Sequence, residues 1–255
     1  MSSVQYEEMR PDEIRKAREN CAAAYLPMGI LEWHGKHLPV GNDTLKAHKM
    51  AIHFAKEIGG LAMPPIWWGD HRAAIAEVVF GPDKFTNLDR DHRPEIAEAY
   101  GLDLDRFYED AERAENDGGW DLFDGVLRNS YFELYTLGFD VVVTISGHYP
   151  LRTPADSAAE AFNALDKLRV ISITGFELAE GYDGDHAAKW ETSMLMNLRP
   201  ELVDMSKLDD DLTRQPTGVM GEDPRTSASP EYGKAGLDAI TATLRGQVKE
   251  ALGAG

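Results

Sequence analysis

The sequence predicts an α/β fold, a mainly parallel central sheet flanked by helices on both faces, and three observations carry that prediction. Runs of strand length at 22–31 (AAAYLPMGIL), 139–147 (FDVVVTISG) and 169–175 (RVISITG) are apolar almost throughout rather than alternating, as strands buried on both faces are. Segments of helical pattern separate them, and strands alternating with helices imply parallel pairing. Polar residues suited to chemistry gather just past the carboxyl ends of these runs, where open α/β sheets place their ligands.

Taken in order, the first run leads into a polar loop, EWHGKHLPVGN at 32–42. Asn42 or Asp43 can cap the next segment, whose apolar positions Leu45, Met50, Ile52, Phe54 and Ile58 fit a helix stopped by Gly59 and Gly60. LAMPPIWWG at 61–69 reads as a second strand, with its prolines at an edge or bend. Residues 70–119 are highly charged, with a helix expected over about 94–116. They read as an insertion in an otherwise single domain spanning 1–255, serving as a lid or a subunit contact. A helical pattern from Trp120 to Leu137 stops at Gly138 and precedes the clearest buried strand; 154–168 is again helical before RVISITG.

Composition narrows the function. With 43% hydrophobic residues among 255, the chain can bury a sizeable core. Its apolar runs are too short to span a bilayer, and MSSVQYEEMR carries acidic residues where a signal peptide needs an apolar stretch. A cytoplasmic protein is expected. The single cysteine, Cys21, forms no internal disulfide or Cys-rich zinc module and reads as a small packed residue. A formal net charge of −18 argues against nucleic acid and anionic membranes as partners and does not by itself define a substrate.

Three clusters can carry chemistry. Glu32 and His34 are two apart, so in extended chain they face one point, to which Asp43 can return across the glycine-containing loop. Carboxylate with imidazole is the ligand mix of zinc, manganese or iron, although the same residues also read as polar loop positions with Asp43 as a cap. His148 follows the central strand in Ser146-Gly147-His148-Tyr149, a place where a lone histidine is more often structural. Asp185 can cap a helix beginning near His186, and Glu191 lies five residues beyond that histidine. His71, just after a strand, could line a pocket, whereas His37, His48, His53 and His92 read as surface or packing residues. No nucleophile elbow, P-loop or dinucleotide fingerprint is present.

Together the clusters resemble, in order and context, the creatininase (creatinine amidohydrolase) family. LPMGILEWHGKHLPVGNDTLKA resembles its amino-terminal block, SGHYP its N-G-H turn, and GDHAAKWETSMLMNLRPELVDM its H-A-G-x-x-E-T-S block. The blocks span about residues 25–205, with little likeness over 70–119. The resemblance implies a creatininase-like fold, a two-metal centre and a homo-oligomer, often a hexamer. It places Glu32 and His148 on one metal, His34 on the other, and Asp43 bridging both. Tyr149, Tyr182, Asp183 and His186 fall at positions that contact substrate or assist proton transfer. Pro150 stands where creatininase has a metal-binding glutamate, and Ser146 where the family has asparagine. Glu191 is therefore expected to supply the missing ligand, and creatinine is not the expected substrate.

The chemistry expected is hydrolysis of a small-molecule C–N bond (a cyclic amide or formamide) by a water activated on one or two divalent ions, with His186 or Glu191 passing the proton. The alternatives are ring opening of a cyclic ketone derived from an inositol or sugar, as a 3-dehydro-scyllo-inosose hydrolase would do, and a non-catalytic metal-stabilised binding protein.

Overall fold

The computed structural model describes residues 3–68, 79–106, 108 and 119–253. Helix α1 (Pro11–Asn20) starts with proline in its first turn and leads into strand β1 (Ala23–Met28). Helix α2 (Asn42–Glu57) follows the EWHGKH loop, then comes the short strand β2 (Leu61–Ala62). Helix α3 (Arg93–Tyr100) ends on Gly101 in the left-handed region, φ 67°. Helix α4 (Gly119–Thr136), strand β3 (Val141–Ser146), helix α5 (Arg152–Asn163) and strand β4 (Arg169–Ile173) come next. Helix α6 (Lys189–Leu198), the single turn α7 (Pro224–Ser227) and the long helix α8 (Pro230–Ala251) complete the chain.

Among the described residues the sheet has four strands, all parallel, in the order β2-β1-β3-β4. β1 and β3 pair along their whole length, from Ala23 opposite Val141 to Met28 opposite Ser146. Successive side chains of a strand point to opposite faces, and the core divides accordingly. Ala23, Tyr25, Val141, Val143 and Ile145 pack beneath α2, α6 and α8 with Phe54, Met194 and Ile240. Ala24, Leu26, Met28 and Val142 pack on the other face against α4 and α5 with Leu127, Tyr131 and Phe162. Burial on both faces is why these strands read as unbroken apolar runs.

Several expectations are refined. β2 is only two residues long because Pro64 and Pro65 cannot donate to a ladder, though Ile66 rejoins Met28 through an isolated bridge. Neither Asn42 nor Asp43 caps α2: Gly41 holds the cap position without a side-chain bond, and Asp43 lies inside the first turn. The helix after His186 begins at Lys189. The helix expected over 94–116 is seen as Arg93–Tyr100; residues 107 and 109–118 lie outside the described residues. What is described of the charged stretch is anchored, since Val79, Phe80, Leu88 and Ile96 form a small core with Trp33 of the EWHGKH loop.

Candidate metal centre

The pairing of β1 with β3 places the loop carrying Glu32 and His34 beside the turn carrying His148. β1 has β2 on one side and β3 on the other, so the crevice at their carboxyl ends is a topological switch point. Asp43 enters from α2, whose start presses against both strand ends. A Cβ on Gly29 would lie 2.6 Å from the Thr44 nitrogen, and one on Gly147 would lie 2.0 Å from the Asp43 carbonyl oxygen. Only glycine permits that approach.

The side chains then meet around Asp43. Its Oδ1 lies 2.9 Å from His34 Nε2 and its Oδ2 3.1 Å from His148 Nδ1. His34 Nδ1 is 3.0 Å from the Glu32 carbonyl oxygen, to which it donates, which turns Nε2 toward Asp43 and Glu191 Oε2, the latter 3.5 Å away. Glu32 Oε2 lies 3.1 Å from His148 Nδ1 but finds no hydrogen-bond partner among the described residues, nor does His148 Nε2. Glu32, His34, Asp43, His148 and Glu191 are all at most 6% exposed. Their donor atoms form two groups, Glu32–Asp43–His148 and His34–Asp43–Glu191, each compact enough to hold one metal ion, with Asp43 giving one oxygen to each. A third grouping joins Glu32 and His34 to His186.

The electrostatics suit a cation. Burial pushes the His34 and His148 pKa values down, but the facing carboxylates outweigh it: Asp43 with Glu191 and Glu32 lifts His34 to about 9, and Glu32 with Asp43 lifts His148 to about 10. Burial acts against ionisation of Asp43 as well, yet His34 and His148 hold its carboxyl well below the usual range. Mixed carboxylate and imidazole donors and this negative field fit zinc, manganese or iron.

A cavity of about 310 Å³ opens over these groups, lined by Glu32, Asp43, His148, Tyr149, Pro150, His186 and Glu191 among others. His186 lies 2.7 Å from the Trp33 carbonyl oxygen through Nε2, which leaves Nδ1 turned toward Glu32 at 3.8 Å. Burial and the nearby His34 push its pKa down. Tyr149 stands in the cavity wall with a buried hydroxyl that has no partner among the described residues. Tyr182 and Asp183 do not line this cavity: Tyr182 packs on Trp190 and Tyr232, with centroids 5.3 and 4.8 Å away, and Asp183 is exposed. Tyr182 is drawn into the apolar seam between α6 and α8, which offers its ring more burial than the loop does. His71 lies outside the described residues.

Four residues of the site escaped sequence reasoning. Lys46, buried one turn beyond Asp43, pairs with Glu191 Oε1. Asp185 accepts from the Trp190 and Glu191 amides, the capping role expected of it, but also lines the cavity. Burial and Glu191 push its pKa up to about 7. Phe85 and Asn87 reach the cavity from the charged stretch, where nothing in the local pattern marks them. His37 and His92 are packing residues as expected, bonded to Thr192 and Asp89.

A parallel α/β sheet with a carboxylate–imidazole cluster at its switch point defines a class of fold that houses metal-assisted hydrolysis. The family model for creatininase, described as creatinine amidohydrolase, matches residues 7–91 and 119–248. The chain belongs to the creatininase family and is a hydrolase of its metal-dependent type. A creatinine amidohydrolase of Pseudomonas putida is 25% identical over 242 residues, covering 86% of this chain and 80% of that one. A 3-dehydro-scyllo-inosose hydrolase of Thermotoga maritima is 33% identical over 70 residues, which are 28% of this chain and only 22% of that protein's length. A manganese form of creatininase superposes with a TM-score of 0.67 at 20% identity, covering 98% of both chains. That likeness shows the fold. Among the described residues no helix is long and apolar enough to cross a membrane.

Proposed function

We propose that the chain hydrolyses a C–N bond of a small molecule, a cyclic amide, formamide or similar group, at a centre held by Glu32, His34, Asp43, His148 and Glu191. The observation that carries this reading is the division of Asp43, whose two oxygens face two separate three-donor groups. A divalent ion bound there would supply Lewis acidity, acidifying a water and drawing electron density from the scissile carbonyl. Zinc, manganese and iron all suit the donors, and the related solved structures include zinc–zinc and manganese forms of creatininase.

The chain's own residues do the remaining work. His34 is held by its bond to the Glu32 carbonyl, so its ligating face does not rotate away. His186, fixed by the Trp33 carbonyl, keeps Nδ1 toward the centre to take or return a proton on the leaving nitrogen. Glu191 shares that role when it is not a ligand. Tyr149 bounds the substrate beside Pro150, which offers no donor. The pairing of Tyr182 and Asp183 with substrate, and assembly into a homo-oligomer such as a hexamer, belong to the same proposal; sedimentation tests the assembly.

The local match to an inosose hydrolase favours a second reading, ring opening of a cyclic ketone derived from an inositol or sugar. A screen of cyclic amides, formamides and inosose-type ketones with metal-reconstituted protein separates the two, and creatinine turnover matching the best substrate would refute the argument from Pro150. The centre itself is tested by metal analysis. The protein is expected to carry about one to two divalent ions per chain, and Asp43→Ala to lose them. Full retention by Asp43→Ala sinks the assignment.

A further inference from the structure

Lys46 is 1% exposed, an uncommon burial for a lysine, and its ammonium meets Glu191 Oε1 while lying 5.2 Å from the centroid of the Tyr149 ring. Glu191's other oxygen accepts the Ala187 amide at 2.8 Å and faces His34. The ammonium therefore occupies one of the two oxygens that Glu191 could offer a metal, and it sits one carboxylate away from the His34–Asp43–Glu191 group. Among the described residues Glu191 is the carboxylate that pairs with it.

Charge makes the consequence definite. The carboxylates of Glu32, Asp43 and Glu191 set against the Lys46 ammonium leave two negative charges, which one divalent ion cancels. A second such ion would leave a buried double positive charge, and buried uncompensated charge is strongly disfavoured. An ionised Asp185, whose carboxylate accepts the Trp190 and Glu191 amides, would offset only one of those two charges and leave the other uncompensated. Pro150 lines the cavity without a donor, so the second group gains no fourth protein ligand there.

We propose that the Lys46 ammonium takes the place of a second metal ion beside Glu191, so that the centre holds one divalent ion tightly, at Glu32–Asp43–His148, and a second only weakly. Lys46 is then a positioning residue that sets the metal content of the site. The inference rests on the reading of these residues as a metal centre, and one experiment separates the two. Chelator-stripped full-length protein is titrated with Mn²⁺, with bound ions counted by native mass spectrometry and their coupling read by electron paramagnetic resonance.

The wild-type chain should bind one Mn²⁺ with an uncoupled spectrum, and a second at least about tenfold more weakly. Lys46→Met, which keeps the volume and removes the charge, should strengthen the second ion at least about tenfold and give a spin-coupled spectrum. Two wild-type ions of similar affinity with a coupled spectrum overturn the proposal while leaving the metal centre standing. A folded Lys46→Met protein whose second ion is unchanged or weaker also overturns it. If Lys46→Met does not fold, the wild-type stoichiometry and spectrum decide alone. Failure of the wild type to bind either Mn²⁺ or Zn²⁺ overturns both the proposal and the metal centre beneath it.

Discussion

Replacing Gly147 by alanine tests whether close packing of backbone against backbone sets the geometry of the centre. The added Cβ would lie 2.0 Å from the Asp43 carbonyl oxygen and 2.6 Å from its carbonyl carbon, where ordinary contact begins at 3.4 Å. Strand β3 and the start of α2 must separate by about 1.4 Å to relieve it. Gly147 does not sit at positive φ, so the effect is contact and not backbone strain. Neither neighbour is a flexible side-chain end that can swing aside; both are main chain inside the core. Overpacking of this kind costs about 1–3 kcal/mol, which for a chain of this size lowers Tm by roughly 2–10 °C.

The functional effect should be larger than the stability effect. Metal–ligand distances tolerate about 0.2 Å, so a displaced Asp43 should weaken Mn²⁺ or Zn²⁺ binding by about 10–100-fold. The assay pairs thermal unfolding by circular dichroism with metal titration. Gly125→Ala is the control: that glycine is exposed on α4 with nothing within 4 Å of a Cβ, and alanine there should stabilise by about 0.5–1 kcal/mol. A Gly147→Ala protein with unchanged Tm and unchanged metal affinity would refute the reasoning.

Other outcomes follow from the same structure. Phe54 is fully buried under the sheet, so Phe54→Ala should cost about 3–5 kcal/mol in urea unfolding, and a loss under 1 kcal/mol (about a conservative swap) would count against that packing. Hydrogen bonds from Arg90, opposed by partial burial and reinforced by Thr217 and Arg214, hold the Glu95 carboxyl down at about 2. Because the folded pKa lies below the unfolded one, this stability is present above about pH 4.5 and is lost as pH falls toward 2. Solvent screening at a side chain 31% exposed leaves roughly 1–2 kcal/mol, and Glu95→Gln should flatten that part of the acid-unfolding curve. Ser229 Oγ accepts the Tyr232 amide at the start of α8, so Ser229→Ala should cost about 1 kcal/mol, with an unchanged Tm as the contrary result.

The sequence by itself determined the layered α/β arrangement and named most of the residues that meet in the candidate centre. Strands buried on both faces must be apolar at every position, so β1, β3 and β4 announce themselves locally, and the alternation with helices then leaves little choice of topology. Glu32, His34 and His148 are legible for the same reason, because they stand directly after such strands. What only the tertiary structure decided are relations between distant segments. Asp43 reads as a helix cap in isolation, but His34 and His148 claim both its oxygens, and Gly41 is left at the cap. Lys46 is not marked by its local pattern, and only the fold brings it to Glu191, 145 residues away, in the core. The packing of Tyr182 on Trp190, between α6 and α8, is likewise a contact that no local pattern announces. Local pattern records what a residue's neighbours in the chain require of it. The charge balance of a buried site is a sum over side chains that meet only when the chain has folded.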